Sequence, residues 1–118
     1  MPRKKADPID LEPDFDEADG PVRLLLHAPT VAALQRARQN AISTLADDPD
    51  AEILIIASSK AVLDALQQPD PATQAFTRVC AKSLKSLEID APEDTSTVPA
   101  AMTEISRRVW SGWVYVRA

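Results

Sequence analysis

Apolar residues in this chain alternate between two kinds of run. Val22 to His27 (VRLLLH) and Ala51 to Ala57 (AEILIIA) are short and almost unbroken, as suits strands buried on both faces. Elsewhere apolar residues recur every three or four positions. Leu34, Ala37, Ala41, Ile42 and Leu45 make one helical face behind Pro29 and a Thr30 N-cap, with Arg36, Arg38 and Gln39 on the solvent side. A second helix is expected at about Lys60 to Leu66, stopped by Pro69 and Pro71. A short strand ending at Val79 then leads into a helix from about Cys80 to Leu87, with Leu84 and Leu87 inward. Thr97 and Val98 suggest a brief strand, and Pro99 opens a helix with Met102, Ile105 and Val109 on one face. Gly112 falls just past its end, and Trp113 to Arg117 (WVYVR) alternates as a final strand.

The order β-α-β-α-β-α-β-α-β predicts an α/β fold, a three-layer α/β/α sandwich around a mostly parallel five-stranded sheet. In open sheets of this kind, ligand sites gather at the carboxyl ends of strands. His27, Ser58, Ser59 and Cys80 all fall there.

Charge separates the first twenty residues from the rest. Residues 1–20 hold seven acidic and three basic residues, whereas 21–118 hold eleven acidic and ten basic. The first segment is polar and acidic and reads as a disordered tail, either a solubilising leader or a partner-docking peptide with Leu11 and Phe15 as anchors. Residues 21–118 are then a single, nearly neutral domain without the basic stripe a nucleic-acid partner requires. No apolar stretch approaches the roughly 20 residues of a membrane span, and no secretory signal follows Arg3 to Lys5. One cysteine cannot form an internal disulfide, and with a lone histidine it makes no cysteine-based zinc site. The expectation is a soluble cytoplasmic protein, with no resident metal and no nucleic-acid or membrane partner.

Cys80 is the strongest candidate for chemistry. At a strand-to-helix junction, unpaired backbone N–H groups favour thiolate over thiol, and Arg78 and Lys82 flank it with positive charge. A thiolate can take the outer sulfur of a persulfide. The competing reading is a small buried core residue. His27 could serve as a base or anion donor, or as hydrogen-bonded structure. Ser58 and Ser59 could bind an anion, or Ser59 could simply cap the helix that follows. No glycine-rich loop accompanies them, so neither a P-loop nor a dinucleotide fingerprint is present. Arg107 and Arg108 complement a helix C-terminus. Trp110, Trp113 and Tyr115 suit either a core edge or an oligomer contact.

Three segments together resemble the DsrE/DsrF-like family, over about residues 22–118. They are RQNAISTLADDPDAEILIIASSKAV at the front, VCAKSLKSLEID around Cys80, and VPAAMTEISRRVWSGWVYVRA at the end. The chain departs from the family where many relatives carry Asn two residues after the cysteine, here Lys82, and glycine after the second strand, here Ser58 and Ser59. The resemblance implies a sulfur-relay protein in which Cys80 carries sulfane sulfur without a cofactor. His27, Ser58, Ser59, Arg78 and Lys82 would then contact substrate. It also implies a homo-oligomer, trimer or hexamer, or a complex with related subunits, together with protein donors and acceptors of sulfur. The alternative within the same family is a non-catalytic oligomeric or regulatory module with a structural Cys80.

Overall fold

The computed structural model describes residues 20–118. The expected acidic tail thus lies outside the described residues, apart from Gly20. Five strands alternate with four α-helices: β1 Arg23–Ala28, α1 Val31–Asp47, β2 Glu52–Ala57, α2 Ala61–Gln67, β3 Thr77–Cys80, α3 Ala81–Ser86, β4 Thr97–Val98, α4 Ala101–Trp110 and β5 Val114–Arg117. A single 3₁₀ turn, Gln74–Phe76, precedes β3. Every strand pairing is parallel, and the strand order is β4-β3-β2-β1-β5.

That order follows from the handedness of the crossovers. Each step from β1 to β4 moves one place along the sheet, so right-handed connections put α1, α2 and α3 on one face. The connection from β4 returns past three strands to β5, beyond β1, and lays α4 on the opposite face. The core records this division. Leu26, Ile53, Ile55, Ala57 and Val79 pack with Ala33, Leu34 and Ala37 of α1, Ala61, Val62 and Ala65 of α2, and Leu84 of α3. Leu25, Leu54, Ile56 and Val98 pack with Ile105 of α4. Successive strand residues point to opposite faces, so the unbroken runs of β1 and β2 serve both clusters at once. Leu25, Leu26, Ile55 and Ile56 are accordingly almost wholly inaccessible.

Local chemistry sets the element ends. Thr30 caps α1, its Oγ1 accepting from the Ala33 N–H at 3.0 Å, a contact ordinarily worth about 1 kcal/mol. Gly112, at φ +104°, ends α4. Its N–H donates to the Val109 carbonyl at 3.1 Å and the Trp113 N–H to that of Arg108 at 2.9 Å, the paired bonds of a Schellman cap.

Several expected faces come out differently. In α4 only Ile105 is buried, while Met102 is 71 % exposed and Val109 nearly half exposed. One ten-residue helix covers this face, and it touches the sheet along a single narrow line. Leu87 is exposed because α3 ends at Ser86, before the face can continue. Ile42 also lies outside, since α1 meets the sheet chiefly through alanines that bring its axis close. Ser59 does not cap α2. It holds a left-handed backbone, φ 51°, and Lys60 occupies the cap position with no side-chain bond.

Candidate functional site

Cys80 ends β3. The chain leaves β3 for α3 on one face of the sheet, while β4, its neighbour, leads to α4 on the other. Adjacent parallel strands whose exits diverge in this way open a crevice at their carboxyl ends. Cys80 pairs with Val98 across that junction. Its side chain turns towards the α4 face, where the Ala101 N–H donates to Sγ at 3.4 Å.

Donors reach the sulfur from α3 as well. The Ser59 N–H donates to Ser83 Oγ at 2.8 Å, a contact set by the left-handed turn at Ser59. This holds the Ser83 side chain in place and leaves its hydroxyl hydrogen free to serve another acceptor. Burial pushes the Cys80 thiol up. The Ser83 hydroxyl and the backbone N–H groups of Ser83, Ala101 and Lys82 outweigh that and hold it below its ordinary value. Hydrogen bonds to the charged form favour that form, and here they act over a distance too short for solvent to intervene. The sulfur is nonetheless enclosed: Cys80 is only 4 % exposed.

A second polar group shares the carboxyl ends of β1, β2 and β5. His27 Nε2 lies 2.9 Å from Ser58 Oγ, and His27 Nδ1 lies 2.9 Å from the Tyr115 hydroxyl. Desolvation, with the Arg117 guanidinium nearby, holds the imidazole below its ordinary value and favours its neutral form. Ser58 is 6 % exposed, and His27 is half-buried. Ala57 pairs with Val79, so the next residues, Ser58 and Cys80, flank each other across the gap between β2 and β3. That gap is about 4.8 Å wide.

The residues singled out in the sequence thus divide. Cys80, Ser58 and His27 share one face and one end of the sheet. Ser59 contributes its backbone rather than its hydroxyl. Lys82 contributes a backbone N–H towards the sulfur, with its side chain exposed. The Arg78 guanidinium is tied to the carbonyls of Ala75 and Thr77, both at 3.1 Å, at the start of its own strand. Three contributors escaped the sequence reading: Ser83, the Ala101 N–H and Tyr115. Ser83 had a local signal, since a hydroxyl three residues into a helix can reach back to the residue that precedes it. Tyr115 had none, because its partner is 88 positions away.

Arg108 is paired with Glu104 at 2.7 Å and stacks over Trp113, 5.0 Å from the ring centre, which makes it part of the α4 framework. A small cleft of about 130 Å³ between α2 and the 92–96 loop opens on the side of the sheet away from Cys80, under Thr77 and Val79. Among the described residues no three side chains of His, Cys, Asp or Glu converge as a metal site would need, and no helix is long and apolar enough to cross a membrane.

No protein-family model and no curated protein matches the chain. Among solved structures it is similar to MTH1491, a protein of unknown function from Methanobacterium thermoautotrophicum. The two are 19 % identical with a TM-score of 0.67, over 82 % of this chain and 99 % of the other. At that identity the likeness establishes a shared compact α/β fold with a parallel five-stranded sheet, and nothing about chemistry.

Proposed function

We propose that this protein is a sulfur carrier of the DsrE/DsrF-like type, in which Cys80 accepts sulfane sulfur from a donor and passes it on. One observation carries the reading: hydrogen-bond donors from α3 and α4 converge on Cys80 Sγ where the strand exits diverge. Such donors increase the thiolate share at a given pH and make the thiolate a better leaving group, and a relay needs both properties in turn. In the loading step the thiolate attacks the outer sulfur of a persulfide R–S–SH. A bond forms from Sγ to that sulfur, the S–S bond to R breaks, and R–S⁻ departs with the electron pair. Cys80 is left as a persulfide. In unloading, an acceptor thiolate attacks the same outer sulfur, and Cys80 leaves as the thiolate that its donors stabilise. The cysteine itself carries the group, so the scheme uses no cofactor. It suits a reducing cytoplasm, where a lone thiol stays free.

A second reading has its own support. Cys80 is 4 % exposed, as a structural cysteine of a non-catalytic module would be. Mass spectrometry of the intact protein after incubation with glutathione persulfide decides between them. The relay reading expects Cys80 to gain one sulfur atom, lose it to a reductant, and show no gain in Cys80→Ser. No gain in the wild type, with Cys80 inert to iodoacetamide until denaturant is added, would leave the module.

The same reading includes self-association, through α4 and the edge strand β5. Trp110 is 92 % exposed, and Met102 and Val109 of α4 and Val114, Tyr115 and Val116 of β5 are further exposed apolar residues on these two elements. An unprotected apolar edge of this kind is ordinarily covered. Light scattering should report a mass above the monomer for the wild type and a lower one for Trp110→Asp. A monomeric wild type removes this part of the reading.

A further inference from the structure

The Tyr115, His27 and Ser58 side chains form a continuous row across β5, β1 and β2, and the next strand in line, β3, ends in Cys80. A neutral imidazole has one N–H and one lone pair, so its two neighbours cannot play the same part. A phenol, with a pKa of about 10, is a far stronger acid than an alkyl alcohol and is the better donor to a ring nitrogen. That difference favours Tyr115 as the donor to Nδ1, with Nε2 carrying the hydrogen and donating to Ser58 Oγ. The Ser58 hydroxyl is then an acceptor from His27 with its own hydrogen still uncommitted. Among the described residues His27 is the sole hydrogen-bond partner of that hydroxyl, although Ser58 is 6 % exposed. A buried hydroxyl hydrogen rarely goes without an acceptor, whether protein, water or ligand. His27 occupies the β1 side of Ser58, and the β3 side leads to Cys80, which faces the same helix.

We propose that this row aims the Ser58 hydroxyl at the sulfur transferred by Cys80, so that Ser58 donates to the negative charge developing on the departing group, with His27 and Tyr115 as its positioning residues. The chemical consequence rests on the relay reading of Cys80, whereas the hydrogen-bond directions do not. In the loading step charge moves from Cys80 Sγ to R–S⁻. A fixed hydroxyl beside the path stabilises that charge as it appears, and no proton need be transferred. The arrangement uses the neutral form of His27, which desolvation and Arg117 favour. A protonated imidazole would donate from both nitrogens and would turn the Tyr115 hydroxyl into an acceptor.

Two measurements on the full chain test this separately from the relay. Long-range ¹H–¹⁵N correlation spectra of histidine-labelled protein near pH 7.5 should show the Nε2–H tautomer of His27, and Tyr115→Phe should shift it towards a mixture. A wild-type Nδ1–H tautomer would mean that Ser58 donates to His27, and the proposed direction is overturned. The second measurement is the rate of sulfur uptake from glutathione persulfide. Ser58→Ala should slow it at least about tenfold, the ordinary worth of one hydrogen bond to a charged group, and Tyr115→Phe should slow it less, in proportion to the Nε2–H tautomer it loses. The double variant should be no slower than Ser58→Ala, and Ser58→Thr should recover most of the rate. Iodoacetamide alkylation should stay within about twofold of wild type throughout, because the thiolate fraction depends on Ser83 and the backbone donors. Wild-type uptake that is unaffected in both single variants reduces the row to structure and leaves the relay standing. A wild type that takes up no sulfur removes the relay and the role of Ser58 in it, whatever the tautomer.

Discussion

Ser83 decides how far a nearly enclosed thiol can ionise. Its oxygen accepts from the Ser59 N–H, which holds the side chain beside Cys80, and its hydroxyl is the leading influence that lowers the thiol. The two influences on Cys80 oppose one another, with burial raising the pKa and the hydrogen bonds winning. Ser83→Ala removes the one side-chain donor and leaves burial as it was. The Cys80 pKa should rise, and alkylation by iodoacetamide near pH 7 should slow by roughly three- to tenfold, since a thiolate fraction falls tenfold per pKa unit below the titration midpoint. Measured against pH, the whole rate profile should move to higher pH with its plateau unchanged. A profile that stays in place would mean that the backbone donors alone set the ionisation. Ser59 is coupled to this, because its left-handed backbone aims the N–H that fixes Ser83.

At the level of elements, the two sides of the sheet are unequally covered. Three helices lie on one face and a single ten-residue helix on the other. The end of α4 matters more than its length suggests. The Schellman cap at Gly112 reverses the chain so that Trp113 packs on the smaller cluster and Tyr115 reaches His27. A residue with a Cβ resists φ +104°, although nothing lies within 4 Å of where that carbon would sit. The cost of Gly112→Ala is therefore conformational, about 1 kcal/mol. That should lower the thermal midpoint by roughly 4–8 °C for a domain of this size. The calorimetric transition should remain single. An unchanged midpoint would show that the turn relaxes without strain. The strand-like run at the end of the chain was legible as β5, but its position as an edge beside β1 was not. Alternation says which residues share a face and is silent on which strand lies alongside.

Across the whole molecule, charge is sorted by sheet end. The segments leaving the strand carboxyl ends, residues 29–30, 58–60, 81–82 and 99–100, contain no Asp or Glu and include Lys60 and Lys82, while Arg117 ends β5. Asp47, Asp48, Asp50, Asp70, Glu88, Asp90, Glu93 and Asp94 gather instead before β2, β3 and β4. A nearly neutral domain can therefore present a positive rim at the end that holds Cys80, and such a rim raises the local concentration of anions. Alkylation of Cys80 by anionic iodoacetate, relative to neutral iodoacetamide, should fall as ionic strength rises from about 0.01 M to about 1 M, where the screening length shrinks from about 30 Å to about 3 Å. A ratio indifferent to salt would mean that the rim is too distant to act on the sulfur.

Much of this architecture can be read from the chain itself, because strands and helices here are specified by local means. VRLLLH and AEILIIA are too short and too apolar for an amphipathic helix. Thr30 and Gly112 mark helix ends through bonds to their immediate neighbours, and the strict alternation of the two element types compels parallel pairing. Cys80 was legible as a junction residue for the same reason. What the local pattern lacks is register and coverage. Whether Met102 and Leu87 are buried depends on how far a helix lies over the sheet. Whether Tyr115 meets His27, 88 positions away, depends on β5 joining the sheet beside β1. The donors around Cys80 come from α3 and from the first residue of α4, which are brought together only because the exits of β3 and β4 diverge. Sequence alone determined the elements and the candidate thiol, through contacts within a few residues. Tertiary structure completed the thiol's environment, because the Ala101 donor and the Ser59 N–H that holds Ser83 arrive from distant parts of the chain.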